Sequence, residues 1–341
     1  MQVGPTARVR HNGSMVRPHV TLTFVTVVFG AETRLLELQA RSFDRYLDPT
    51  CVASIIVIDN GWRPMSHRQV SRLRASYGRF ADRLTIVRTS NLVPELPSTI
   101  GWRSQQLAKL LVARSVTTPH YVVLDAKNHL IRRSIMADFI GPDGRAHGGT
   151  HPYTHHPLLP QLTATLRYLH AQDDVIAAAV ENFPPTATPF VMDTAVTREL
   201  LDGVELASHG PFAREFERAG LTEFFLYSGW IVVRGPGIDR VYDGVAIPSP
   251  TVWPGRRDAN GVDDAIAEAQ REGSAFFAVH RSALARGDRA SRARIARFWR
   301  DRGLFSTVSS ARRFIGSFRL LYLPEMASKK LAERLTRTER R

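Results

Sequence analysis

Four positions in this 341-residue chain combine a residue type with a setting suited to chemistry. Asp125 closes the apolar run Tyr121-Val-Val-Leu and is followed by Ala126-Lys127-Asn128. A carboxylate where a strand leaves its sheet can reach a cation or a ligand hydroxyl, whereas in mid-strand it would carry a large desolvation cost. Lys127, two residues on, supplies a compact positive charge suited to a phosphate. Capping of the following turn accounts for Asp125 equally well. Gln105 and Lys109 stand four apart and share one helix face, with Trp102 and Gln106 nearby. That face fits a sugar or diphosphate, and fits bulk solvent no worse. Glu223 opens the aromatic stretch Glu223-Phe-Phe-Leu-Tyr227, where a helix dipole favours a carboxylate whatever its role. An apolar wall beside it would raise its pKa towards that of a general base. His280 ends the run Ala275-Phe-Phe-Ala-Val279 in the same strand-end setting as Asp125, where an isolated histidine is more often structural than a ligand.

These positions need a scaffold that brings strand ends together. Residues 20–29 form a β-branched, aromatic run ending at Gly30, and residues 54–58 form a second, stopped by Asp59-Asn60-Gly61. Further strands are predicted over 84–87 and 121–124, with helical spacing over 31–47, 66–80 and 104–114. Strand alternating with helix through the first 125 residues predicts an α/β fold, a mainly parallel sheet flanked by helices on both faces. Such sheets bind ligands beyond the carboxyl ends of their strands. The second half predicts a short hairpin over 137–146 around Pro142-Asp143-Gly144, and a loop over 148–160 rich in histidine and proline. Helices are expected over 158–171, 195–201, 211–219, 222–232 and 263–272, a strand over 275–279, and two or three basic helices after 281.

Composition narrows the classes. Hydrophobic residues at 43% and charged residues at 23% are ordinary for a globular chain with a sizeable core. No apolar run reaches the ~18–20 residues of a spanning helix. The single cysteine, Cys51, excludes an internal disulfide framework and a multi-cysteine zinc site. Gly235-Pro-Gly237 has no helical pattern after it and reads as a turn, and no Walker A loop is present. His147, His151, His155 and His156 lack the flanking carboxylate or cysteine of a zinc pattern and read as a polar loop.

Taken in order, these pieces resemble glycosyltransferases of the GT-A type, and more closely a bacterial family of unknown function in that clan. The resemblance is carried by Thr23-Phe-Val-Thr-Val-Val-Phe29-Gly30, Ile56-Val-Ile-Asp59-Asn60-Gly61, Gly101-Trp102 with Gln105-Gln106 and Lys109, and Tyr121-Val-Val-Leu-Asp125-Ala-Lys127-Asn128. It continues through Thr188-Pro189-Phe190 and Thr222-Glu223-Phe224 to Tyr227, and ends near His280. It implies a Rossmann-like catalytic domain over 18–281, its 18–130 half binding nucleotide and its 131–281 half binding acceptor. A flexible leader over 1–17 precedes this domain and a basic helical extension over 282–341 follows it. The implied activity is transfer of a sugar, as by a hexosyltransferase, from a nucleotide-diphosphate donor to a polysaccharide, glycolipid or other hydroxyl acceptor.

The same resemblance distributes roles. Phe29 and Asp59 take the base and ribose, and Gln105, Lys109, Asp125 and Lys127 lie along the diphosphate. Glu223 falls where inverting members keep their catalytic carboxylate, while Thr188, Pro189 and Tyr227 line the acceptor side. Inversion and retention both stay open. GT-A enzymes hold Mg²⁺ or Mn²⁺ with a strand-end Asp-x-Asp motif, of which only the first aspartate, Asp125, is present. Lys127 stands in place of the second. His280 resembles the C-terminal histidine that often completes the metal shell. Two carboxylates would be normal for so hard an ion. The reduced set leaves a second route open, in which Lys127, Lys109 and nearby arginines neutralise the leaving diphosphate.

The net charge of +14 is concentrated at one end. Residues 281–341 carry 17 basic and five acidic residues, against 29 and 27 in the rest. Forty-two of the 46 basic residues are arginine, as a coding bias would produce, but a bias does not explain the clustering. An anionic membrane surface is one expected partner of this segment, and solvent or another protein is the alternative. The expected place is cytoplasmic, peripheral at the inner face of the cell membrane. Two competing readings are a catalytically inactive GT-A scaffold and a nucleic-acid-binding protein using the basic end. The α/β part carries no aromatic-basic interleaving, so nucleic acid is not an expected partner.

Overall fold

The computed structural model describes residues 21–93 and 101–338. The leader expected over 1–17 lies outside the described residues. Five strands form the central sheet: β1 (Leu22–Val28), β2 (Val52–Asp59), β3 (Leu84–Arg88), β4 (His120–Asp125) and β6 (Phe190–Asp193), in the order β3-β2-β1-β4-β6. The first four run parallel and β6 pairs antiparallel with β4. β1 is buried along its whole length, as both faces of a covered parallel strand should be. A smaller sheet of β5 (Asn128–Leu130), β7 (Thr251–Val252) and β8 (Phe276–Val279) has the order β5-β8-β7. The mainly parallel α/β sheet expected from the alternation of strand and helix is thus present.

Register places the strand ends. Val28 on β1 is level with Asp59 on β2, and Val27 is level with Asp125 on β4. The two carboxylates therefore flank the end of β1, separated by two inter-strand spacings, roughly 10 Å. Helix α1 (Thr33–Tyr46) covers this region with Leu35, Leu36, Leu38 and Phe43 turned into the core. Its buried face also carries two polar residues. Gln39 Nε2 donates to the carbonyls of Asp125 (2.9 Å) and Asn128 (3.0 Å), while Ser42 Oγ accepts the Leu130 N–H at 2.9 Å. The chain turn after β4 is thus held from below by a helix that begins right after β1.

Four further helices position the site or close the core: α2 (His67–Tyr77), α3 (Trp102–Leu111), α4 (Glu223–Val233) and α5 (Arg289–Asp301). A long helix, α6 (Val308–Thr338), contains Pro324. The segment expected as a basic extension supplies Leu284, Ile295, Trp299, Phe314 and Phe318 to the same hydrophobic core as the central sheet. Trp299 is fully buried, and its indole N–H donates to His129 Nε2 at 3.0 Å. Nδ1 of that imidazole then carries the proton and faces the Lys127 carbonyl at 3.2 Å.

Several details differ from the sequence reading, among them β5 and β7 of the smaller sheet, which were not expected. The hairpin expected over 137–146 reduces to a single bridge between Ile140 and Ala146, because Met136–Asp138 forms a 3-10 turn instead. β6 and a helix over Asp173–Glu181 were not anticipated. β6 is four residues long and runs straight into the helix Thr194–Ser208, so no turn residue marks its end.

Burial holds His129 neutral, its pKa pushed down from 6.5 to about 4. A group with a depressed histidine pKa stabilises the fold fully above its unfolded value and loses that contribution as pH falls. Unfolding free energy should therefore decline between pH 6.5 and 4, His129 accounting for about 3 kcal/mol of it. Denaturant unfolding across this window should show a shallower pH slope in His129→Gln, and an unchanged slope would contradict the assignment.

Candidate functional site

The ends of β1, β2 and β4 open into a cleft of about 1780 Å³, lined among others by Asp59, Lys109, Asp125 and Glu223. Small-molecule sites usually occupy ~300–1,000 Å³, so this cleft has room for two ligands side by side. Phe29, Gln105, Lys127, Thr188, Pro189 and His280 also line it. Ten of the eleven candidate site positions share this one cavity.

The exception is Tyr227. It is fully buried, its hydroxyl accepts the Asp193 N–H at 2.7 Å, and it does not line the cleft. It stands one turn deeper in α4 than Glu223, where its neighbours are core. Phe224 and Phe225, at the start of α4, form the wall, and Tyr227 points back to the end of β6. The acceptor-side role expected of Tyr227 is corrected to one of support.

Lys109 lies at the centre of the floor. Its Nζ stands 3.1 Å from Glu223 Oε1 and 3.2 Å from Asp125 Oδ1, so one ammonium joins α3, α4 and the end of β4. It also lies 5.1 Å from the centre of the Phe224 ring. Burial alone would lower the pKa of this lysine, but the two carboxylates outweigh it and the net shift is upward. Asp125 shows the converse: burial pushes its pKa up, and Lys109 and Lys127 more than reverse this, holding it well below the usual carboxylate range. For Glu223 burial prevails over the attraction of Lys109, and its pKa is raised. Two carboxyl groups on one ammonium are thereby pushed apart in proton affinity, the pattern of sites that need one charged group and one proton acceptor.

The second oxygen of Asp125 is held by Lys127, whose Nζ also lies 5.8 Å from the Trp253 ring. Asn128 turns away from the cleft. Its amide donates to the Thr188 carbonyl (3.0 Å) and Ser249 Oγ (3.1 Å), and its Oδ1 accepts from Asp125 N–H and the Thr188 hydroxyl. Thr188 is thus tied to the Asp125 turn. His280 caps a short helix, its Nδ1 accepting the Ser282 N–H at 3.1 Å. Burial together with the charges of Arg281 and Lys127 pushes its pKa down to about 4.

Asp59 is nearly inaccessible and fully engaged. One oxygen accepts the Gly61 N–H (3.0 Å), the other the Met65 N–H (2.8 Å) and the Arg88 guanidinium (3.0 Å). It shapes the loop 60–65. A Cβ at position 61 would stand 3.0 Å from the Arg63 carbonyl and 3.1 Å from the Asp59 carboxylate, so a side chain there would need the loop to give by a few tenths of an ångström. The loop presents Trp62, 79% exposed, on the cleft wall, and Asn60 anchors it to Gly101 and Ser104 at the start of α3. Phe29 lies beneath the Arg281 guanidinium at 5.2 Å, and Arg281 in turn pairs with Glu32 at 2.5 Å.

Sequence reasoning missed Trp62, Trp253, Arg281 and Glu32 as cleft residues. The two tryptophans had a signal, since each stands in a turn context, Asn60-Gly61-Trp62 and Trp253-Pro254-Gly255. Arg281 and Glu32 had none, because 249 positions separate them. Gln106 and Thr222, both lining the cleft, have buried side-chain polar atoms without a partner among the described residues. Such atoms await a ligand's hydroxyls or water.

A divalent cation fits this floor poorly. The one strand-end carboxylate has an ammonium on each oxygen, and a dication ~4 Å from one ammonium is repelled by about 8 kcal/mol at an effective dielectric of 20. Among the described residues no three His, Cys, Asp or Glu side chains are grouped to hold a metal.

No curated protein matches the chain. Among solved structures it is similar to the galactosyltransferase LgtC in complex with donor and acceptor sugar analogues, at 11% identity over 84% of this chain and 97% of that one, with a TM-score of 0.49. It is similar to the glycosyltransferase GlyE of Streptococcus pneumoniae TIGR4, at 10% identity over 88% and 64% of the two chains, TM-score 0.44. Glucosyl-3-phosphoglycerate synthase from Mycobacterium tuberculosis, in complex with Mn²⁺ and uridine diphosphate, is 17% identical over 59% and 67%, TM-score 0.34. A family of unknown function, DUF6492, matches residues 29–283, and the chain belongs to that family.

Proposed function

We propose that the protein transfers a sugar from a nucleoside diphosphate donor to a hydroxyl acceptor. The observation that carries this reading is the Lys109 bridge between Asp125 and Glu223 on the floor of one large cleft. It sets a proton acceptor on one side of the ammonium and a strand-end charge cluster on the other. The loop 60–65 and Phe29 offer aromatic faces for a base, and the unpaired Gln106 and Thr222 suit sugar hydroxyls. Asp59 supports the nucleotide end by shaping its loop, its carboxylate being already engaged. Thr188 and Pro189 line the acceptor side.

The chemistry needs one bond made and one broken. An acceptor oxygen attacks the anomeric carbon while the bond from that carbon to the diphosphate oxygen breaks, its electron pair leaving with the phosphate. The hydroxyl proton passes to Glu223, whose proton affinity burial raises above that of an ordinary carboxylate. Lys109 keeps the carboxylate oriented. No step is routed through Mg²⁺ or Mn²⁺, since Asp125 and His280 do not form a site for either.

The acceptor we infer is a carbohydrate or lipid-linked hydroxyl compound met at an anionic membrane surface. Supporting this, α6 exposes Leu320 and Leu321 next to Arg319, within a segment of net charge +12. No helix among the described residues is long and apolar enough to cross a membrane. Exposed apolar side chains beside arginines suit adsorption to a charged interface.

Glu223→Gln should lower turnover of a nucleotide sugar by about 10²- to 10⁴-fold while leaving UDP or GDP affinity unchanged. Unchanged turnover would remove the base assignment. The full chain should sediment with phosphatidylglycerol vesicles and not with phosphatidylcholine vesicles, and 0.5 M salt or Leu320→Glu with Leu321→Glu should release it. Equal sedimentation with both lipids would sink the membrane reading.

A further inference from the structure

The end of β4 suits a diphosphate directly. We propose that Lys127 takes the place of a divalent cation, so that a nucleoside diphosphate is held by ammonium and guanidinium groups and no metal. The inference rests on the nucleotide-sugar reading above and specifies what meets the diphosphate.

The donor set carries it first. A hard dication needs several oxygen ligands, and the position two residues after Asp125 holds a cation instead of a second oxygen. Asn128, the next oxygen in sequence, is spent on four hydrogen bonds that join the Asp125 turn to Thr188 and Ser249. His280 has Nδ1 committed to the Ser282 N–H, and its ring lies tilted against Trp253 with centroids 5.8 Å apart. Among the described residues no three His, Cys, Asp or Glu side chains are grouped to hold a metal, and the Glu32 carboxylate on this wall is paired with Arg281.

The pairing scheme carries it further. Asp125 has two cationic partners, and only one of them is mobile enough to leave. Lys109 is buried and fixed by Glu223 as well. Lys127 has Asp125 as its single carboxylate partner among the described residues, on a flexible stem at the cleft wall. When Lys127 swings onto a phosphate oxygen, Lys109 still neutralises Asp125, so the move leaves no unpaired carboxylate behind. Arg281 stands over Phe29 on the same wall and offers a second cation, with Glu32 fixing its guanidinium. As the bond between the sugar carbon and the diphosphate oxygen breaks, the electron pair stays on that oxygen. The ammonium of Lys127 meets the charge that develops there, as a metal would in other sites.

The test is titration calorimetry of the full chain with UDP and with GDP, in EDTA and in Mn²⁺, alongside electron paramagnetic resonance of Mn²⁺ alone. Affinity for the bound nucleotide should be the same in EDTA as in Mn²⁺, and the free Mn²⁺ signal should be undiminished by protein. Lys127→Ala should weaken the nucleotide by about ten- to a hundred-fold, Lys127→Arg should restore most of it, and thermal melts should confirm that each variant is folded. Lys127→Asp, which supplies the second carboxylate, should make nucleotide binding depend on Mn²⁺. Nucleotide binding that needs Mn²⁺ in the natural chain overturns this inference alone. Binding of neither nucleotide under either condition overturns the nucleotide-sugar reading together with it.

Discussion

A single buried ammonium governs the architecture of the cleft. Lys109 could not stay charged inside the protein without its two carboxylates, and the buried Glu223 has no other cationic partner among the described residues. Three elements are locked by that requirement: the helix that carries the lysine, the start of the aromatic helix that carries Glu223, and the last residue of β4. A lysine exchanged for a neutral residue would leave Glu223 buried without a cation, while Asp125 kept Lys127. The neighbouring polar atoms follow suit. Gln39 and Asn128 satisfy the carbonyls and N–H groups of the turn after Asp125, so the loop leaves the sheet in one conformation only.

Much of this scaffold was legible in the residues. β1, β2 and β4 read as apolar β-branched runs, and β2 and β4 each end at an aspartate that the register sets on either side of the end of β1. Asp125, Lys127 and Glu223 line one cavity; local patterns marked the strand end and helix start that carry them, and the resemblance alone implied that they meet. What was not legible depends on distance. Gln39 looks like an ordinary helix residue until its partners, 86 and 89 positions away, are known. His129 gave no hint of its bond to Trp299, 170 positions on.

Two assignments show how a familiar pattern can mislead. Tyr227 shares a short sequence segment with Glu223, yet four residues along a helix return a side chain to nearly the same bearing one turn deeper, and there the wall is core. Asp59 was expected to hold a ribose, and it lies at the right strand end. Its oxygens, however, are consumed by the backbone of the loop that follows and by Arg88. Asp59 lines the cleft with its oxygens spent on neighbours, and Tyr227 does not reach the cleft at all; sequence spacing shows neither.

The contact between Trp299 and His129 bears on where this protein can be cut. The part matched by the family ends at 283, and a fragment designed on that boundary would look complete from its sequence. It would lack the indole that holds the imidazole, and the imidazole faces the carbonyl of Lys127. Phe277 and Phe298, now packed ring against ring at 4.8 Å, would be parted, leaving an apolar scar on the back of the smaller sheet. Recombinant boundaries are better drawn beyond Tyr322, the last fully enclosed aromatic of the long helix.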